Sequence, residues 1–151
     1  MTDYLNRLPR DLYTAQQVRL LDKIAIEQFD IPGFTLMQTA ASVAFDALLE
    51  NWPQTRHVQV FAGSGNNAGD GYLLAALAQE HGLSAEVIQL TDPEKLSGDP
   101  RQAWHRALER TVLMTAFVDI ELEQEKEHAH PVGDDALLGH GLDTEVGGDY
   151  A

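Results

Sequence analysis

The chain opens with two amphipathic patterns that are typical of helices. Thr14 and Gln17 have capping-box spacing, and apolar residues then recur every three or four positions, which predicts a helix over residues 15–28. An Ile-Pro-Gly sequence interrupts this pattern. A second Thr-x-x-Gln signature begins at Thr35 and predicts another helix that ends near Asn51.

A strand, a glycine-rich segment, a helix and a second strand are predicted next. Residues 57–62 (HVQVFA) have the β-branched and aromatic content of a mostly buried strand, and the glycine-rich segment 63–71 follows. The apolar run 72–78 predicts a helix that ends before Gly82, a residue suited to a left-handed cap. Residues 85–90 (AEVIQL) predict the next strand. This order indicates a βαβ unit with parallel strands and a right-handed crossover.

One more helix and strand extend the alternation. Asp99, which precedes a proline, is predicted to be the N-cap of a helix that buries Trp104 and Leu108. Residues 111–118 (TVLMTAFV) predict a strand. Residues 119–130 (DIELEQEKEHAH) are strongly acidic, and we interpret them as a solvated loop or a frayed helix. Strands that alternate with helices indicate an α/β fold.

Composition limits the compartment and the partners of the protein. A length of 151 residues suits a single domain, and the absence of cysteine excludes disulfide frameworks, thiolate metal sites and cysteine nucleophiles. A formal net charge of −14 repels phosphate backbones, so we expect no nucleic-acid partner. The opening residues lack the apolar core of a secretory signal, and the longest apolar run is too short to cross a bilayer. We therefore expect a cytoplasmic protein with no membrane segment.

The glycine-rich segment 63–71 is the main candidate for a binding site. Backbone N–H groups at a helix start have no intrahelical partner, and the helix dipole adds positive charge, so phosphate is the natural ligand. A plain connecting turn is the alternative. The segment has no lysine, which excludes a Walker A loop. Gly63, Gly65 and Ala68 match the dinucleotide fingerprint G-x-G-x-x-A, with Asp92 where a ribose-binding acid is expected, so a dehydrogenase also stays in view.

Three polar residues of this segment are not explained by the dinucleotide fingerprint. The adjacent side chains of Asn66 and Asn67 offer neutral oxygens and NH₂ donors, which suit a hard cation or an amide-bearing substrate. Asp70 stands near the start of the predicted helix, where it can serve as a cap or contact a ligand.

The sequence resembles the N-terminal YjeF-type domain of the NAD(P)H-hydrate epimerases. GSGNNAGDG resembles the family motif GxGNNGGDG, DALLGHGLD resembles the later motif DALLGTGL, and the two opening helices also correspond. The resemblance implies a Rossmann-like three-layer α/β fold with a mainly parallel sheet.

The resemblance implies an isomerase of nicotinamide nucleotide repair. It would interconvert the R and S forms of hydrated NADH and NADPH (NADHX and NADPHX) at C6 of the ring. Its S product would be consumed by an ADP- or ATP-dependent dehydratase, fused or separate. A non-catalytic nucleotide-binding or scaffold module of the same fold is the alternative, and the sequence does not decide between a monomer and a homo-oligomer.

The resemblance also implies a set of site residues, without assigning a catalytic acid or base. By motif position, potassium would be bound by Asn67 and Asp135. The substrate would be contacted by two segments, Asn66, Asn67, Ala68, Gly69 and Asp70 in the first and Gly139, His140, Gly141, Leu142, Asp143, Thr144 and Glu145 in the second.

Four departures from the family pattern bear on activity. Ala68 replaces a glycine, which is tolerated if its φ is negative, and His140 stands in place of a threonine. Gly133 and Asp134 interrupt the apolar strand that precedes the second motif. The VDxPSG-type motif of the family is missing, so we expect residues 1–151 to form a single domain that is shortened at its C-terminus, binds nucleotide weakly and epimerises poorly.

Overall fold

The computed structural model describes residues 13–117 and the strand at 132–136. These residues alternate helices and strands in the predicted manner. In chain order the elements are α1 Ala15–Phe29, α2 Gly33–Asn51, β1 His57–Ala62, α3 Asn66–Glu80, β2 Ser84–Gln89, a 3₁₀ helix Pro93–Lys95, α4 Gly98–Glu109, β3 Leu113–Ala116 and β4 Val132–Ala136. No helix in this part of the chain has the length and apolarity that a membrane span requires.

The strands form one parallel sheet in the order β3-β2-β1-β4. The predicted βαβ unit is confirmed, since β1 pairs with β2 in parallel and α3 connects them. Strand β4 forms on the other side of β1 even though its sequence contains Gly133 and Asp134. Ladder hydrogen bonds come from the backbone, so a glycine in a strand costs only about 0.5–1 kcal/mol. The α/β fold class is confirmed.

The core lies between the sheet and α3. Alternate residues of β1 (Val58, Val60 and Ala62) are fully buried, as the two-residue period of a strand requires when one face is covered. Small residues of α3, such as Ala75 and Ala78, are also fully buried. Helix α4 packs beside α3, and α2 packs against both helices. This packing fixes the start of α3 against the sheet.

Of the two opening helices, the first starts as predicted and the second does not. The capping box at Thr14 is confirmed, because its backbone N–H donates to Gln17 Oε1 at 2.8 Å and its Oγ1 accepts from the Gln17 N–H. The second Thr-x-x-Gln signature is not a cap, since α2 begins at Gly33 and its N-cap is Pro32. Proline has a φ of −58° there, which already suits a helix, so the chain turns before it reaches Thr35.

The fourth predicted helix and the third predicted strand are also shifted. The N-cap of α4 is Ser97, and Asp99 lies in the first turn instead of capping it. Trp104 is buried as predicted, but Leu108 is 42% exposed, so its placement in the core was wrong. Strand β3 starts later than predicted because Thr111 has a left-handed φ of 57°, which ends α4 with a turn.

Gly69 allows three helices to approach one another closely. A Cβ on this residue of α3 would lie 2.6 Å from Met37 Sδ of α2 and 3.1 Å from the Pro100 Cα of α4. Both distances are shorter than ordinary van der Waals contact, and one of the neighbours is backbone. A side chain here would force Met37 and the backbone at Pro100 to shift, so the packing favours glycine.

We expect Gly69→Ala to lower the free energy of unfolding by about 1–3 kcal/mol, the usual cost of overpacking a core. Urea denaturation of the two single variants and of the Met37→Ala/Gly69→Ala double variant measures this. Removing the Met37 side chain should recover part of the loss. If the stability losses of the two single variants sum to that of the double variant within about 0.5 kcal/mol, the Met37 side chain is not what resists the added methyl group.

Candidate functional site

Helix α3 begins earlier than predicted, which changes the shape of the glycine-rich segment. The turn after β1 comprises only residues 63–65, and Asn66 is the first residue of the helix. Its N-cap is Gly65, with φ 80° and ψ −161° and no side-chain cap. The N–H groups of the first helical turn therefore have no partner within the helix. Asp70 lies inside the helix, so the suggestion that it caps the helix was wrong.

The turn opens into a cavity at the carboxyl ends of β1 and β2. Its volume is about 590 Å³, within the usual range for small-molecule sites. In open α/β sheets, ligands bind at this edge, outside the carboxyl ends of the strands. The cavity is lined by Ser64, Gly65, Asn66, Leu90, Thr91, Asp92, Lys95, Leu96, Ser97 and Pro100.

Hydrogen bonds between the two strand ends hold the cavity walls in place. Thr91 Oγ1 donates to the carbonyl oxygen of Gly63 at 2.7 Å. The backbone N–H of Leu90 donates to the carbonyl oxygen of Ala62 at 2.9 Å. These bonds join the chain after β2 to the end of β1 and the glycine turn, and so connect the two sides of the cavity.

A smaller cavity of about 340 Å³ lies on the other side of the start of α3. Residues of α1, α2, α3 and α4 line it, among them the carboxylates of Asp22, Asp70 and Asp99. Asn66 lines both cavities and is the residue they share. Among the described residues, no group of three or more His, Asp or Glu side chains could hold a metal ion.

The predicted substrate residues of the first motif fall into different environments. Asn66 is exposed and lines the larger cavity, whereas Asn67 is half-buried. Ala68 and Gly69 are buried in helix packing, so only their backbone groups can face a ligand. The φ of Ala68 is not positive, which satisfies the condition for replacing the family's glycine. Asp70 is half-buried and lines the smaller cavity.

The second predicted motif is described only at its start. Asp135 lies near the carboxyl end of β4, opposite Phe61 in the register with β1. Because Phe61 is followed closely by the glycine turn, the backbone of Asp135 lies at the same sheet edge as the start of α3. The predicted substrate residues 139–145 lie outside the described residues, and no described contact tests the pairing of Asp135 with Asn67.

Three polar cavity residues from the connection between β2 and α4 were missed by sequence reasoning, namely Thr91, Lys95 and Ser97. Asp92 was considered, and it both lines the cavity and caps the 3₁₀ helix by accepting the Glu94 N–H at 3.0 Å. The position of these residues in the chain could have indicated them. Because β2 lies next to β1 in a parallel sheet, the segment that follows β2 lies beside the glycine turn.

Tyr72 lies behind the turn, in the core. Its hydroxyl accepts a hydrogen bond from Gln89 Nε2 at 3.3 Å, and burial raises the pKa of the phenol above its ordinary value of 10.0. The phenol therefore stays protonated at neutral pH. It fixes α3 against the end of β2 and takes no part in lining either cavity.

Comparison with known proteins identifies the family. The model of the YjeF-related protein N-terminus matches residues 33–151, which include the glycine turn and all of α3. The chain belongs to this family. The predicted resemblance is thereby confirmed.

Relatives in the YjeF family carry related names. A bifunctional NAD(P)H-hydrate repair enzyme of Coxiella burnetii is 37% identical over 139 residues, which are 92% of this chain and 27% of that protein. An NAD(P)H-hydrate epimerase of Rhodopirellula baltica is 32% identical over 143 residues, which are 91% of this chain and 56% of that protein. The chain thus spans about a quarter and about half of the lengths of these relatives.

A solved structure shares the fold. The crystal structure of yeast ynu0 superposes with a TM-score of 0.80 at 21% sequence identity. The match covers 93% of this chain and 61% of the yeast chain. It confirms the α/β fold of the YjeF family for this chain.

Proposed function

We propose that this protein is an isomerase that interconverts the R and S forms of NADHX and NADPHX. One observation carries the proposal. The uncapped start of α3, at Gly65 and Asn66, opens into a cavity of suitable size at the carboxyl edge of the sheet. A relative named as an epimerase is 32% identical over 91% of the chain, which supports the choice of reaction.

The residues of the turn supply binding and orientation. The free N–H groups at the start of α3 suit the diphosphate of a dinucleotide, since the helix dipole favours negative charge there. The Asn66 side chain, exposed beside this position, offers both a donor and an acceptor to an amide-bearing ring. Binding in this orientation places the ligand over the carboxyl ends of β1 and β2.

Potassium is the cofactor we propose, with Asn67 and Asp135 as ligands. The donor set fits, because a neutral amide oxygen and one carboxylate suit a hard, weakly charged cation. The position of both residues at the same sheet edge supports this assignment. When bound, the cation would stabilise negative charge on a nearby oxygen of the ligand or of the protein.

A dehydratase that consumes the S form is the proposed partner. Relatives named bifunctional repair enzymes, such as that of Coxiella burnetii, support a fused arrangement in at least part of the family. The proposed compartment is the cytoplasm, since the cysteine-free sequence suits a reducing environment. The substrate contacts of residues 139–145 belong to this same proposal.

The test is chromatographic conversion of pure R-NADPHX and, separately, of pure R-NADHX into the S forms. We expect conversion faster than in buffer, because the cavity holds the ring while one bond at C6 breaks and re-forms on the opposite face, with the proton that moves in the first step returned in the second. Asn66→Ala should slow the reaction about tenfold, the cost of one hydrogen bond of roughly 1.4 kcal/mol to the ligand. Asn51→Ala is the matched control, because this amide at the end of α2 donates to the Ala47 carbonyl and lines neither cavity.

Conversion at the buffer rate by the wild-type chain would contradict the proposal. The same assay tests the expectation from the sequence that residues 1–151, which lack the VDxPSG-type motif, epimerise poorly. If a carboxylate of the VDxPSG-type segment transfers the proton, residues 1–151 should turn over about 10² to 10⁴ more slowly than a chain that contains it. Equal rates would assign the proton transfer to a carboxylate within residues 1–151.

A further inference from the structure

One wall of the larger cavity carries an ammonium group that the proposed function does not yet use. Lys95 ends the 3₁₀ helix after β2 and lines the cavity together with Ser97. Its side chain is exposed and makes no ion pair with another described residue. The protein as a whole has a net charge of −14 and repels anions, so an unpaired ammonium group in a cavity marks a place where an anion can bind.

Asp92 lies near Lys95, but its carboxylate accepts a hydrogen bond from the backbone of Glu94. Since a 3₁₀ helix has three residues per turn, Asp92 and Lys95 lie one turn apart on the same side, and both line the cavity. Asp92 Oδ1 accepts the Glu94 N–H at 3.0 Å and so caps the 3₁₀ helix. One of its carboxylate oxygens is therefore occupied in holding the turn that presents Lys95.

The order of the strands places a specific part of a dinucleotide beside Lys95. Neighbouring strands are about 4.8 Å apart, a distance similar to the size of a ribose ring, so a ribose can reach from the end of β1 to the end of β2. A diphosphate at the start of α3 sits above β1, and in such sheets the adenosine ribose then reaches the end of the adjacent strand. The residues that follow β2, Thr91 to Lys95, form that part of the cavity.

We propose that Lys95 binds the 2′-phosphate of the adenosine ribose, so that the cavity selects 2′-phosphorylated dinucleotides over those with a free 2′-hydroxyl. This inference rests on the proposed function and makes NADPHX the preferred substrate. Asp92 supports Lys95 by capping its helix. The opposite arrangement, in which Asp92 accepts the 2′-hydroxyl and repels a phosphate, predicts the reverse preference.

The first test uses nucleotide probes that lack the nicotinamide. Calorimetry at low salt compares adenosine 2′,5′-bisphosphate with adenosine 5′-monophosphate. The wild-type protein should bind the bisphosphate about tenfold more tightly, which corresponds to one charge-assisted hydrogen bond at an exposed site. Lys95→Met should remove the preference while leaving monophosphate binding within twofold, and Lys95→Arg should retain it.

Lys23→Met is the matched control, because it removes the same charge from an exposed lysine that pairs with Glu27 on α1. This variant should keep the full preference. Equal binding of the two probes by the wild type, a preference for the monophosphate, failure to bind either probe, or a preference that survives Lys95→Met would each overturn the inference.

The second test separates this inference from the proposed function. The ratio of kcat/KM for NADPHX to that for NADHX should fall about tenfold in Lys95→Met, through KM for NADPHX alone. Conversion of both substrates with the ratio unchanged by Lys95→Met would overturn the role of Lys95 and leave the epimerase activity standing. Conversion of neither substrate by the wild-type protein, with the probe preference intact, would contradict the proposed function and leave the phosphate site standing.

Discussion

Gly65→Val is expected to weaken nucleotide binding about 100-fold while the protein remains folded. A φ of 80° with a ψ of −161° lies in a region that only glycine adopts readily, so a β-branched residue there must change the backbone. No atom lies within 4 Å of the position of the added Cβ, so the conformation and not the space is the obstacle. The first N–H groups of α3 would turn away from the cavity, and two lost hydrogen bonds to a charged group account for roughly 3 kcal/mol.

The control for this variant lies at the other end of the same helix. Gly82 has a φ of 79° and also has open space around its added Cβ, but it lines neither cavity. Both Gly65→Val and Gly82→Val should lower the free energy of unfolding by about 1–3 kcal/mol, because each places a β-branched residue at a positive φ. Gly82→Val should leave the binding of NADP⁺ unchanged. Calorimetry with NADP⁺ and thermal unfolding of both variants give the comparison. Equal loss of affinity in the two variants would mean that instability, and not the turn, controls binding.

A second large effect is expected in the dependence of epimerisation on potassium. We expect Asn67→Ala or Asp135→Asn to raise the potassium concentration for half-maximal epimerisation at least tenfold, because each removes one oxygen ligand or its charge. Asn67 is half-buried at the start of α3, where an amide side chain can be held in a fixed orientation. Choline chloride replaces potassium chloride at constant ionic strength, so that screening stays the same.

Asp46→Asn is the control for the charge change, since Asp46 is exposed on α2 and lines neither cavity. Binding of thallium, followed by its NMR signal, measures the cation directly and does not depend on turnover. It should weaken in the two site variants and stay unchanged in the control. An activity that is the same in choline and potassium, together with unaltered thallium binding, would remove potassium from the proposal.

The strand at the centre of the fold was predictable because its signal is local. Residues 57–62 carry alternating buried positions, and β1 has the predicted bounds. The start of α3 was not predictable in the same way. Gly69 and Gly71 each disfavour a helix by about 1 kcal/mol relative to alanine, so the sequence pattern suggests a longer loop. Both glycines are buried in the structure, and the close packing at Gly69 overrides the local preference.

The candidate site was predictable mainly on the side that carries the glycine motif, and on the opposite wall Asp92 alone was considered. The turn at Gly65 and Asn66 has a recognisable spacing, and the structure places it at the cavity. The opposite wall, with Thr91 and Lys95, comes from a segment without a motif that meets the turn only when β2 pairs with β1. Such a contact depends on strand order, which spacing within one segment does not encode.

The turn after β1 is expected to hold the hydrated dinucleotide, and a titration followed by NMR tests this directly. Amide signals of the ¹⁵N-labelled protein are recorded as NADPHX is added. The largest shifts should occur at residues 63–70, with further shifts at Thr91 and Lys95. Shifts confined to α1 or to the carboxyl-terminal end of α4, with the turn unaffected, would contradict it.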